Sequence, residues 1–362
     1  MQNYPSLPEL QDLDESVKGL GTKLKISNVL LMFPDYHMTG EHFQELKKNN
    51  FKTVSLLATV ADLNHYGYDL SVPESIEEYR EKVYPCLIEM HAKIGYWGLQ
   101  VPVGSFSGDE NHDLTEEETA RLLKQKAVFD TYGLHVSGVG GNFSPDWKET
   151  IKPQIAASNI LGAESLYGPY AAIFMGFQDD VASGDDSVAW TKEYLKEFEK
   201  TLVEEIGPYA ASKGVAVCTE PLQRFESMPI HLKESAELAI KADCDYFKVM
   251  IDMCHEYCEG QGPEAYAKLV EDLSKNNKLR GIHVSAIHRG EVYKSWYSQQ
   301  YFNDFFGPLF ANGYDDEICI ETFDAVEPVV EAVKVNRERF AHPIGVLINQ
   351  FVYTVDKLKG FV

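Results

Sequence analysis

The chain has 362 residues, of which 44% are hydrophobic and 25% charged, the composition of a packed globular protein and not of a disordered or low-complexity one. A formal charge of −23, spread along the sequence instead of gathered in a tail, opposes a polyanionic partner, so nucleic acid is not expected. The length admits one large barrel or two ordinary domains without any need for covalent staples, and the six cysteines (Cys86, Cys218, Cys244, Cys254, Cys258, Cys319) lack regular spacing, which predicts reduced thiols in a cytoplasmic protein.

The first residues, Met1–Asp14, carry Pro, Asp and Glu where a secretory signal would carry a basic patch and an apolar core. No apolar run reaches the roughly 20 residues that cross a bilayer, so no membrane partner is expected. Residues 1–21 are polar and read as an N-terminal arm, with 22–362 as a single catalytic domain. After the arm, short apolar runs alternate with amphipathic stretches. The predicted strands are Lys25–Phe33, Phe51–Leu57, Leu134–Gly140, Ala163–Gly168, Val215–Glu220, Tyr246–Asp252, Leu279–Ser285 and Glu317–Glu321. Predicted helices between them include Thr115–Tyr132, Lys148–Leu161, Ala189–Ser212, Ile230–Lys241, Pro263–Asn276 and Tyr301–Asn312.

This alternation implies parallel strands joined by right-handed crossovers, and eight strands is the count that closes a barrel. The expected fold is therefore α/β, a (β/α)8 TIM barrel with an N-terminal extension. Ser71–His112 is longer than one connecting helix needs and reads as an insertion in the first half, with Tyr96, Trp97 and Gly104–Ser107 at its end. An open, doubly wound sheet has similar periodicity, but no Gly-rich phosphate loop follows the first strand.

The chemistry shows in what stands at the strand ends. Glu220 ends Val-Ala-Val-Cys-Thr-Glu, Asp252 ends Phe-Lys-Val-Met-Ile-Asp, His283 lies near the end of Arg-Gly-Ile-His-Val-Ser, and Glu321 ends Ile-Cys-Ile-Glu. An acidic residue often ends a strand because strands end at the surface. Four consecutive strands each ending on a metal-competent side chain are harder to explain that way, since a barrel builds its active site from those ends. Three carboxylates and an imidazole form a mostly hard donor set, suited to one Mn²⁺, Co²⁺ or Mg²⁺ ion rather than a thiolate-rich zinc site. His255 follows Asp252 by three, Glu226 follows Glu220 by six and Arg289 follows His283 by six.

Together these residues resemble the xylose-isomerase-like superfamily of sugar epimerases and isomerases, nearest to its ketose 3-epimerase branch that acts on tagatose and psicose. The match is specific over Val215–Phe323 and weaker in the first half. The resemblance implies that Glu220, Asp252, His283 and Glu321 hold the metal, Mn²⁺ first and Co²⁺ or Mg²⁺ as alternatives. It also implies that Glu220 and Glu321 are the catalytic acid/base pair, and that Glu226, His255 and Arg289 bind the substrate. Removing a proton beside a carbonyl creates an enediolate that a divalent cation stabilises, and return of the proton from the opposite face epimerises the sugar. The chain departs from that family's pattern after Gly290, where Glu-Val-Tyr-Lys-Ser-Trp-Tyr-Ser follows, and this leaves substrate identity open.

Other readings remain at this point. The same enolate chemistry on an oxidised sugar could expel an aglycone, as in the catalytic subunit of bacterial C-glycoside deglycosidases, which would bring a small partner subunit. Homo-oligomerisation is also left open. A DNA-repair enzyme resembling endonuclease IV would need further histidines, for which His37, His65 and His135 are available, and the charge argues against it. A sugar sensor without catalysis is the plainest alternative.

Overall fold

Eight parallel strands pair in chain order, and the eighth pairs with the first to close a barrel. The computed structural model describes residues 13–30, 36–37, 80–81, 84–102, 106, 108–109, 113–141, 147–168, 196, 199–221, 232–260, 262–286, 292–295, 297–322 and 341–362. The strands are β1 (Ile26–Val29), β2 (Gly98–Pro102), β3 (His135–Gly140), β4 (Ser165–Gly168), β5 (Ala216–Thr219), β6 (Phe247–Asp252), β7 (Leu279–Val284) and β8 (Ile318–Ile320). Among the described residues the helices are α1 (Glu15–Lys23), α2 (Tyr84–Ile94), α3 (Glu116–Tyr132), α4 (Trp147–Leu161), α5 (Gly207–Lys213), α6 (Leu232–Ala242), α7 (Met253–Glu259), α8 (Pro263–Lys275), α9 (Gln299–Ala311) and α10 (Ala341–Leu358). None is long and apolar enough to cross a membrane. Cys218, Cys244, Cys254, Cys258 and Cys319 are free thiols.

Local chemistry explains where these elements begin and end. In α3, the Thr115 hydroxyl accepts from the Glu118 N–H at 3.2 Å while the Glu118 carboxylate accepts from the Thr115 N–H at 2.8 Å, a capping box that satisfies two orphan donors. Gly133, at φ 66°, closes the helix in the left-handed region. The strands are short and covered on both faces, which suits their Val, Ile and Leu content. The large apolar cluster lies between sheet and helices and includes Leu99, Val139, Ile251, Phe305 and Phe351. Inside the barrel a separate small cluster joins Tyr167, Ala216, Cys218 and Met250.

Two expectations from the sequence are corrected. The second barrel strand is Gly98–Pro102, paired directly with β1 through Ser27↔Gly98 and Val29↔Gln100, whereas Phe51–Leu57 lies outside the described residues. Accordingly, the described part of Ser71–His112 is not an insertion: it contains α2 and β2, an ordinary helix and strand of the barrel. The physical reason is that Gly-Leu-Gln-Val-Pro has glycine at one end, proline at the other and a buried glutamine in the middle, which does not read as a β-branched apolar run. The predicted arm boundary at residue 21 falls within α1, where Gly21 packs against the Phe351 ring of α10.

The barrel interior depends on two glycines. Tyr167 projects from β4 across the interior, and a Cβ at Gly138 of β3 would stand 2.1 Å from its ring, one at Gly281 of β7 2.8 Å. Gly281 also adopts φ +83°, which side-chain-bearing residues rarely take. Gly138→Ala should therefore overpack the interior and lower unfolding stability by about 1–3 kcal/mol, measured by denaturant titration.

Candidate metal centre

Side chains alternate faces along a strand, so residues two apart point the same way. In β5 the interior residues Ala216 and Cys218 are followed at that interval by Glu220; in β6, Met250 is followed by Asp252. The same step separates Gly281 from His283, and Cys319 from Glu321. Each strand thus lifts one polar side chain out of the interior at its C-terminal end. Neighbouring strands hold the backbones in place: the Glu220 N–H donates to Gly168 O at 2.8 Å, the Glu321 N–H donates to Val284 O at 3.0 Å, and Asp252 is in register with His283.

The four side chains meet as the sequence predicts. One ligand atom from each of Glu220, Asp252, His283 and Glu321 lies within 4.8 Å of all the others, and all four residues are buried. His283 Nδ1 is 2.9 Å from Glu321 Oε2, 3.3 Å from Glu220 Oε1 and 3.9 Å from Asp252 Oδ2. Oxygen and imidazole ligands bind divalent ions at about 2.0–2.6 Å, so donor atoms this close fit around a single ion. The residues present therefore fit a single divalent cation.

Asp252 divides its carboxylate between two tasks. Because β6 runs into α7 without a loop, Asp252 caps that helix, Oδ1 accepting from the backbone N–H of Cys254 at 2.7 Å and of His255 at 3.0 Å. Oδ2 is left facing the cluster. The same cap brings His255 to the site, its Nε2 lying 3.9 Å from Glu220 Oε1. Glu226 and Arg289, the other predicted substrate-binding residues, lie outside the described residues, as does His65. His37 is buried beside Gln125 at 2.7 Å and against the Phe106 ring. Its pKa is pushed down to about 3, chiefly by burial, which marks a neutral packed histidine. His135 opens β3, at the barrel end opposite the ligands, and stacks on Trp97.

Sequence reasoning missed Gln100. From β2 it reaches across the barrel, its Oε1 accepting from His283 Nε2 at 2.8 Å. Its only signal was a glutamine in an otherwise apolar five-residue run.

Burial by itself would depress the His283 pKa, but the carboxylates of Glu321 and Glu220 outweigh it and hold the imidazole well above its usual 6.5. In the metal-free protein the ring is thus a cation among three carboxylates. Its contribution to stability is fully present below pH 6.5 and is lost as pH rises through the raised value. The thermal midpoint of the metal-free protein should fall as pH rises above neutrality, and saturating Mn²⁺ should flatten that dependence, since the ion takes the proton's place. A pair of variants separates the two tasks of Asp252. Asp252→Asn keeps an oxygen for the cap and should leave metal-free stability nearly intact while weakening metal binding; Asp252→Ala should lose about 1 kcal/mol besides, read by thermal unfolding.

Comparison with known proteins agrees with this fold. The sequence profile of the xylose isomerase-like TIM barrel family matches residues 88–339. No curated protein matches the chain. A protein of Anabaena variabilis assigned to the sugar phosphate isomerases/epimerases is 20% identical, with a TM-score of 0.63 over 93% of this chain and 99% of its own. A D-allulose 3-epimerase from Methylomonas sp. is 14% identical, with a TM-score of 0.55 over 92% of this chain and 98% of its own. The 3-keto-D-glucoside 4-epimerase of E. coli is 15% identical, with a TM-score of 0.52 over 70% and 94%.

Proposed function

The chain belongs to the xylose isomerase-like TIM barrel family, and from that premise we propose that it is a divalent-metal-dependent sugar epimerase or isomerase. The observation that carries this reading is the buried convergence of Glu220, Asp252, His283 and Glu321 at the C-terminal rim. When bound there, a divalent cation supplies Lewis-acid stabilisation to negative charge that develops on two neighbouring sugar oxygens.

The residues around it supply the remainder. Glu220 and Glu321 come from β5 and β8, three strands apart around the closed sheet, and so approach a sugar on the rim from different sides. One carboxylate takes the proton on the carbon beside the carbonyl, and the other returns a proton to the opposite face, which inverts that carbon. Asp252, with one oxygen engaged by the helix cap, serves as a metal ligand and not as a base. His255 lies beside Glu220, which supports a role in holding a polar end of the substrate, and the family resemblance adds Glu226 and Arg289 to that role. Burial of the cluster keeps bulk water from competing for the proton. Mn²⁺ is the first choice of ion, with Co²⁺ and Mg²⁺ next, because availability decides occupancy where affinities overlap.

Incubating the Mn²⁺-loaded protein in D₂O with a panel of ketoses and 3-oxo-glycosides tests the proposal. Deuterium should enter the carbon next to the carbonyl of at least one class, and the incorporation should drop by about two to four orders of magnitude in Glu220→Gln and in Glu321→Gln. Absence of exchange in every class would overturn it.

A further inference from the structure

The barrel interior holds a carboxylate that the proposed reaction does not use. Glu317 immediately precedes β8 and is 1% exposed. Three side chains from three other strands donate to it: Tyr167 of β4 and Gln100 of β2 to Oε1, the latter at 3.1 Å, and Ser27 of β1 to Oε2 at 2.9 Å. Among the described residues Glu317 makes no ion pair, and the nearby Arg280 guanidinium is engaged by Glu164 at 2.7 Å and Asp316 at 2.9 Å. A buried carboxylate is costly to keep, and an apolar residue would fill the space more simply.

The hydrogen-bond inventory shows what Glu317 achieves there. A carboxylate oxygen that already accepts from Tyr167 can only accept from Gln100, so the Gln100 end facing Glu317 must be its NH₂. Its carbonyl oxygen then faces His283 Nε2 at 2.8 Å, and that nitrogen must carry a proton. Nδ1 is left to face Glu220, Asp252 and Glu321. We infer that Glu317, acting through the side-chain amide of Gln100, is a positioning residue that determines which ring nitrogen of His283 faces the metal site. The inference rests on the metal reading above and adds to it the device that keeps one ligand correctly presented. Without Glu317 the amide could rotate, turn its NH₂ to Nε2 and favour the ring form whose Nδ1 carries the proton, which cannot bind a cation. Partners of this kind, one bond beyond the metal ligands, commonly set affinity by 10- to 100-fold.

The test measures Mn²⁺ binding to metal-free protein by calorimetry for the wild type, Gln100→Leu, Glu317→Leu and the double variant, with thermal unfolding alongside. Each single variant should weaken Mn²⁺ about 10- to 100-fold. Because Glu317 acts only through Gln100, the double variant should be no weaker than Gln100→Leu alone. Losses that add, or a Glu317→Leu protein that binds Mn²⁺ like the wild type, would overturn the inference. A measurement on the wild type does not depend on the variants folding. In Mg²⁺-loaded, ¹⁵N-histidine-labelled protein the ring proton of His283 should reside on Nε2 and exchange slowly with water, and a proton on Nδ1 would overturn the inference. A wild type that binds no divalent cation would remove the metal reading itself, whereas normal wild-type binding with unaffected variants would remove only the role of Glu317.

Discussion

The two-residue alternation of side chains in a closed parallel sheet is the constraint on which the rest of this structure depends. Once eight strands close, every second residue must fill the interior, and the last such residue on each strand must stand on the rim. Ala216, Cys218 and Glu220 form one such series, Met250 and Asp252 another, and Glu317, Cys319 and Glu321 a third. The interior is packed with small and polar side chains around Tyr167, which is possible only because β3 and β7 present glycine to its ring. Core packing and the ligand cluster are therefore two levels of one arrangement, and a shift of register by one residue would remove a ligand from the rim and an interior residue from its layer together.

Electrostatics sets the state of the site. Three buried carboxylates within a few ångströms repel one another, and in the metal-free protein the raised proton affinity of His283 is the local answer to that repulsion. A divalent cation would answer it more completely, and the imidazole that held the proton would then serve as a ligand. The overall charge of −23 works in the same direction at longer range, drawing cations and disfavouring polyanions.

Legibility in the sequence followed the chemistry of each segment. The cluster was readable because Glu220, Asp252 and Glu321 each end a short apolar run, and the capped helix Thr115–Tyr132 was readable because Thr115, Glu118 and Gly133 are strong local signals. His255 was found through its spacing from Asp252, and the structure shows the spacing to be that of a helix cap. The strand Gly98–Pro102 was not readable. Gln100 faces an interior that is itself polar at that level, so the apolar rhythm that betrays other strands is broken just where the interior hydrogen-bond network needs an amide. The interior roles of Glu317 and Tyr167 escaped for a different reason: their strands were readable, but their partners are on strands far away in sequence and no local pattern links them. Glu226 and Arg289, proposed above to bind substrate, lie outside the described residues.

The junction of β6 and α7 has a consequence for how such a chain can change over time. With no loop between Asp252 and Met253, Asp252 and His255 are fixed within a single turn, and any inserted residue would break the cap and displace both. This stretch is closed to the gain or loss of residues through which loop-borne specificity usually diversifies. Descendants of this chain that acquired new substrates would have to do so through other segments of the rim, carrying Asp252 and His255 along unaltered.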